Sequence, residues 1–149
     1  MGHSMLFFRF DRGAPSPIRK DALTSLLAEF DLNLTERFEN CSVIAGGAAD
    51  AIGSELAVYF DGTEITEASI SRPIYTDMFY DLATRLITDL GLCMVPSFGG
   101  EIYHPRGFDG DADLPEDFDA DRISVSSSKD MKDHAEEPDT ANKTLDTKT

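Results

Sequence analysis

With 149 residues, 41% of them apolar, the chain has material for one domain and hardly for two. Its 28 acidic and 13 basic side chains leave a formal charge of −15, a field that repels nucleic-acid phosphates and anionic membranes and favours basic proteins or cations. There is no CxxC pair, zinc-finger spacing, lysine- or arginine-rich stripe, or apolar run of the ~18 residues a spanning helix needs, so direct nucleic-acid binding and a membrane span are not expected.

Met1-Gly2-His3-Ser4 reads as a short expression remnant ahead of a native Met5, with no apolar run of the signal-peptide kind. The segment MLFFRF, Met5 to Phe10, is too short for an independent helix and suits a strand. Ser16-Pro17 then offers an N-cap and a first helical residue, and Leu23, Leu26, Leu27 and Phe30 follow at helical spacing. Residues 37–45, RFENCSVIA, read as one strand with Phe38, Val43 and Ile44 as core candidates. ELAVYF, Glu55 to Phe60, is a second strand of this region. Asp61-Gly62 marks a hairpin turn into a return strand reaching Ile70. The uneven spacing of Ile65, Ala68 and Ile70 predicts a bulge near Glu67-Ala68.

Pro73 to Leu90 is the most legible element. Tyr75, Met78, Phe79, Leu82, Leu86, Ile87 and Leu90 recur three and four apart, Pro73 opens the helix and Gly91 ends it. Asp81 and Arg85 lie off the stripe, four apart, as a helical ion pair. Leu92 to Val95 is a buried strand, Pro96 to Gly100 a turn, and Glu101 to Tyr103 a short last strand. The order β-α-β-β-β-α-β predicts an α+β fold in which two helices pack on one face of a mixed, mostly antiparallel sheet. The closest simple architecture is ferredoxin-like with an extra strand.

The charge divides unevenly along the chain. Residues 1–106 hold 15 acids and 8 bases, whereas residues 107–149 hold 13 acids and 5 bases. The expected body is residues 5–106. An acidic segment at 107–123, carrying Phe108 and Phe118, can dock on it, and 124–149 is expected to be a disordered polar tail, because little apolar area there repays the ordering entropy. Cys41 and Cys93 lie in apolar stretches and read as two buried thiols in a reducing, cytoplasmic setting.

Three groups of residues bear on chemistry. Asp109, Asp111 and Asp113 alternate like the start of a calcium loop, but Leu114 stands where that loop needs glycine and Ala120 where it needs glutamate; weak cation binding is the most they suggest. Ala45-Gly46-Gly47 and Phe98-Gly99-Gly100 match no phosphate-loop pattern and read as ordinary turns. Arg72 and Tyr75 ahead of the second helix, with Ser97, Tyr103 and His104 after the next strand, would meet at one end of the sheet if those two strands were neighbours. They would form an anion-attracting pocket, with His104 as its acid or base. Tyr80 departs from the apolar stripe and offers an exposed ring for an interface.

No paired acid, activated nucleophile or ligand set is defined by spacing, so catalysis and a cofactor are not expected. The reading that follows is a small acidic protein-interaction domain, of the inhibitor or immunity type, for a basic partner. Its alternatives are a small-molecule-binding domain or enzyme with a pocket near Arg72 and His104, and a homo-oligomeric structural protein.

Overall fold

The computed structural model describes residues 3–116 and 118–134. The first strand, β1 (Ser4–Asp11), is apolar on both sides because it runs through the middle of a sheet covered on both faces. Met5 and Phe7 face one apolar cluster, while Phe8 and Phe10 face a second. A short strand, β2 (Ala14–Ser16), folds back on β1 with Ser16 opposite Arg9. Ile18 then bridges to Ile65, its N–H donating to the Ile65 carbonyl at 2.8 Å. This backbone pairing displaces the helix start expected at Ser16-Pro17. Helix α1 (Lys20–Glu29) begins after Arg19 with no side-chain cap, and buries Leu23, Leu26 and Leu27.

The stretch read as one strand over 37–45 is a hairpin of β3 (Asn33–Phe38) and β4 (Cys41–Ala45). Asn40 turns it at φ +67°, a conformation asparagine tolerates better than most residues. Phe38, expected in the core, is 56% exposed, because it ends an outer strand beyond a register shift. After a 3-10 turn at Ala49–Ala51 come β5 (Gly53–Asp61) and β6 (Glu64–Pro73), joined through Gly62-Thr63. Their bulge is real and its extra residue is Thr66: Tyr59 faces Glu67 while Phe60 faces Ile65. The inserted residue turns Ile65, Ala68 and Ile70 all toward the same cluster despite their spacing.

Pro73 belongs to β6 rather than opening a helix. Helix α2 (Asp77–Leu90) starts at Thr76, whose Oγ1 accepts from the Phe79 N–H at 3.3 Å, and ends at Gly91 with φ +70°. Tyr75 therefore precedes the helix. Arg85 pairs with Asp89 and with Glu29 of α1 at 3.0 Å, not with Asp81. The remaining elements are β7 (Cys93–Pro96), β8 (Glu101–Pro105), the single turn α3 (Gly110–Asp113), β9 (Asp121–Val125) and α4 (Ser128–His134).

The described residues thus form four helices and a nine-stranded sheet in the order β3-β4-β5-β6-β1-β7-β8-β9, with β2 attached to β1. Every pairing is antiparallel except β8 with β9. The sheet is larger than the sequence suggested. Helices α1, α2 and α4 contribute to one cluster, which includes Phe7, Leu27, Ile65, Phe79, Ile87, Tyr103 and Met131. On the opposite face Phe10, Cys93, Ile102 and Leu114 form a smaller cluster, closed by Phe108 and Phe118 from the crossover between β8 and β9. Where a polar tail was expected from residue 124, Ser124 and Val125 complete β9 and Ser128–His134 form α4; residues 135–149 lie outside the described residues.

Candidate functional site

The residues grouped at one end of the sheet do not all meet. Strand β1 lies between β6 and β7, so the elements carrying Arg72 and Ser97 are not neighbours. The backbone of His3 and Ser4 occupies the gap. The Arg72 N–H donates to the His3 carbonyl at 2.6 Å, and the Ser4 N–H donates to Ser97 Oγ at 2.8 Å. Tyr75 Oη lies 2.9 Å from His3 Nε2. Arg72 adopts φ +47° and its side chain is exposed.

Tyr103 and His104 sit elsewhere. Tyr103 is opposite Met94, inside the main cluster, and its hydroxyl donates to Glu101 Oε2 at 3.1 Å. His104 follows on β8, on the opposite face, where it packs on Phe108 and its Nδ1 donates to the Pro105 carbonyl at 2.9 Å. Tyr80 is half-buried against the main cluster, with Lys132 Nζ 5.8 Å above its ring, rather than exposed.

The three aspartates are drawn into the chain's own contacts. Asp109 caps α3, accepting from the Ala112 N–H; Asp111 pairs with Arg122 at 3.0 Å; Asp113 accepts from the Arg12 N–H at 3.2 Å. Among the described residues no group of three or more His, Cys, Asp or Glu is placed to hold a metal ion. Both cysteines are free and buried. Burial, and then the charge of Asp113, push the Cys93 thiol up to about 12, so it carries no thiolate at neutral pH.

A different concavity combines charge with exposed apolar surface. It lies between the start of α1 and the β3–β4 and β5–β6 turns. Its volume is about 420 Å³, and Lys20, Glu36, Phe38, Glu39 and Phe60 are among its lining residues. The sequence builds it from two turns: Glu39-Asn40 reverses the first hairpin, and Gly62-Thr63 the second. The Phe60 N–H donates to the Asn40 carbonyl at 2.9 Å, tying the two turns together.

Each ring already attracts a cation of the chain. Lys20 Nζ stands 5.8 Å from the Phe60 centroid, and the Arg37 guanidinium 5.6 Å from that of Phe38. Arg37 is also held by Glu55. Glu36 and Glu39 have no ion-pair partner among the described residues, and the adjoining turn adds the exposed Asp61 and Glu64. The groove therefore presents Glu36, Glu39 and a largely exposed aromatic ring, with Asp61 and Glu64 on the adjoining turn, against Lys20 over Phe60 and Arg37 over Phe38. Such an arrangement suits a cationic side chain stacking on an aromatic ring within an acidic rim.

Sequence reasoning passed over this site because it assigned Phe38 to the core. The available signal was Asn40 two residues later: a turn there ends the strand and leaves Phe38 at its tip. Compared with known proteins, the chain matches no family model, no curated protein and no solved structure.

Proposed function

We propose that this chain is a small acidic protein-interaction domain that binds a basic partner, in the manner of an inhibitor or immunity-type protein, through the groove at Glu36, Phe38 and Glu39. The observation that carries this reading is the pair of carboxylates, without ion-pair partners among the described residues, beside a phenylalanine that is 56% exposed. An aromatic anchor with a polar rim is a common centre of binding energy, and the net charge of −15 would speed encounter with a positive surface. The two unbridged, buried cysteines support a cytoplasmic setting as part of the same reading. For the architecture, we infer a ferredoxin-like split β-α-β sandwich in β5-β6-β1-β7 with α1 and α2. The strand order supports it, with the β3–β4 hairpin added at one edge and β8 and β9 at the other.

The test is affinity capture from the native lysate at low and moderate salt, with the wild-type chain and the double variant Glu36→Lys/Glu39→Lys. One dominant basic protein should be retained by the wild type, be released as salt rises, and fall by about tenfold or more in the variant, as expected for lost complementary charge. Equal capture by both chains, or no basic protein at either salt concentration, would sink the proposal.

A further inference from the structure

Strand β3 ends the sheet on one side, with β4 as its strand neighbour and no other among the described residues. Its outer row of backbone N–H and C=O groups is open to a further strand, and every residue of β3 except Leu34 is exposed. From Asn33 to Glu36 the pairing with β4 is regular; the register shifts only between Glu36 and Phe38. An undistorted stretch of edge therefore lies directly beside the groove at Glu36, Phe38 and Glu39.

The side chains define what kind of strand fits. Leu34 packs against the main cluster, and Glu36, two residues on, shares its face of the sheet. Asn33 and Thr35 share the other face, where the Thr35 hydroxyl donates to Asn33 Oδ1 at 3.2 Å. A strand laid against β3 would set one residue opposite Leu34 and another, two positions away, opposite Glu36. An apolar side chain suits the first place. A cationic one suits the second, because Glu36 has no ion-pair partner among the described residues and opposite charges across a ladder attract. Past the register shift, the exposed Phe38 ring and Glu39 can take a further basic side chain.

The same charges turn away a second copy of the chain. Antiparallel self-pairing centred on Glu36 or Arg37 would oppose like charges, and pairing centred on Thr35 would set each Glu36 against Leu34. The net charge of −15 adds a general repulsion. We propose that a basic, extended segment of the partner adds to β3 as a further strand, its cationic side chains facing Glu36 and Phe38; this rests on the groove being the binding site.

The experiment is calorimetric titration of the full chain at low salt with acetyl-Thr-Arg-Thr-Val-Thr-Arg-Thr-amide. Its arginines lie two residues to either side of the valine, so it fits β3 in either direction. One N-methylated version carries the methyl groups on Arg and Val, the other on Thr. Successive backbone N–H groups of a strand point to opposite edges, so one version blocks the ladder and the other leaves it intact. The expected result is saturable binding of the parent peptide, a loss of about tenfold or more in one methylated version and a change within about threefold in the other. Amide hydrogen exchange at residues 33–38 should slow when the parent peptide binds. Titration that does not saturate, an equal loss in both methylated versions, or unchanged exchange in β3 overturns strand addition. If that happens while a basic protein is still captured as above, the groove stands without it. A methylation contrast that persists undiminished in Glu36→Lys/Glu39→Lys leaves strand addition standing and sinks the groove.

Discussion

Glu67 illustrates how one residue can oppose the fold that contains it. It lies opposite Tyr59, on the side of β6 turned away from Ala68 and the helices, and burial raises its carboxyl above the usual range. With the folded value above the unfolded one, the native state holds the proton more tightly, and stability declines as pH rises through that interval. Glu67→Gln should therefore raise Tm at pH 7 by on the order of 1–2 °C, a small figure because the group is partly solvated. The gain should vanish below about pH 4, where both states are protonated. Thermal melts of the two chains at several pH values check this; a gain that persists in acid would mean that something other than ionisation stabilises the variant. Phe38 is the converse case. Its apolar character suggested the core, yet its position at the tip of an outer strand leaves it in solvent.

At the scale of elements, α2 is governed by its cap as much as by its apolar stripe. Phe79, Leu82, Ala83, Leu86 and Ile87 bury one face, and each of the larger side chains contributes roughly 1.5–3 kcal/mol. That stripe could start a helix at several points; Thr76 sets where it starts. Its hydroxyl accepts from the Phe79 N–H and also donates to the Ala51 carbonyl at 2.6 Å, joining the cap to the turn before β5. Thr76→Ala should cost about 1–2 kcal/mol, at or above the usual value of a cap, and Thr76→Ser should recover most of it. Urea midpoints of the three chains measure both effects. Helix α1 shows the opposite balance. It has no side-chain cap, and the Ile18–Ile65 bridge, invisible in local sequence, decides where it begins.

Across the whole molecule, the sheet carries a cluster on each face, and the second depends on an acidic stretch. Leu114 is 4% exposed against Phe10, Cys93 and Ile102, and its neighbour Asp113 accepts from Arg12 beyond β1. Leu114→Ala should cost about 2–5 kcal/mol, the range for a buried leucine. It should also let thiol reagents reach Cys93, which is shielded and protonated in the wild type. Urea unfolding with parallel thiol labelling tests both; a variant of unchanged stability with an unreactive Cys93 would mean that the crossover does not protect that face.

The amino-acid sequence alone determined the α+β class, the strand at Met5 to Phe10, the β5–β6 hairpin with its bulge, and the α2 stripe with its Gly91 end. Each of these is written in local periodicity and turn chemistry, which act over a few residues. Only the tertiary structure decided that β1 separates β6 from β7, which parts His104 from Arg72. It alone decided that α1 starts late and that Phe38 is exposed. Those features arise from backbone pairings and helix contacts between residues far apart in the chain, where no local pattern carries the register. Glu36 and Glu39 had no distinguishing signal within an acidic sequence; what sets them apart is that neither has an ion-pair partner among the described residues.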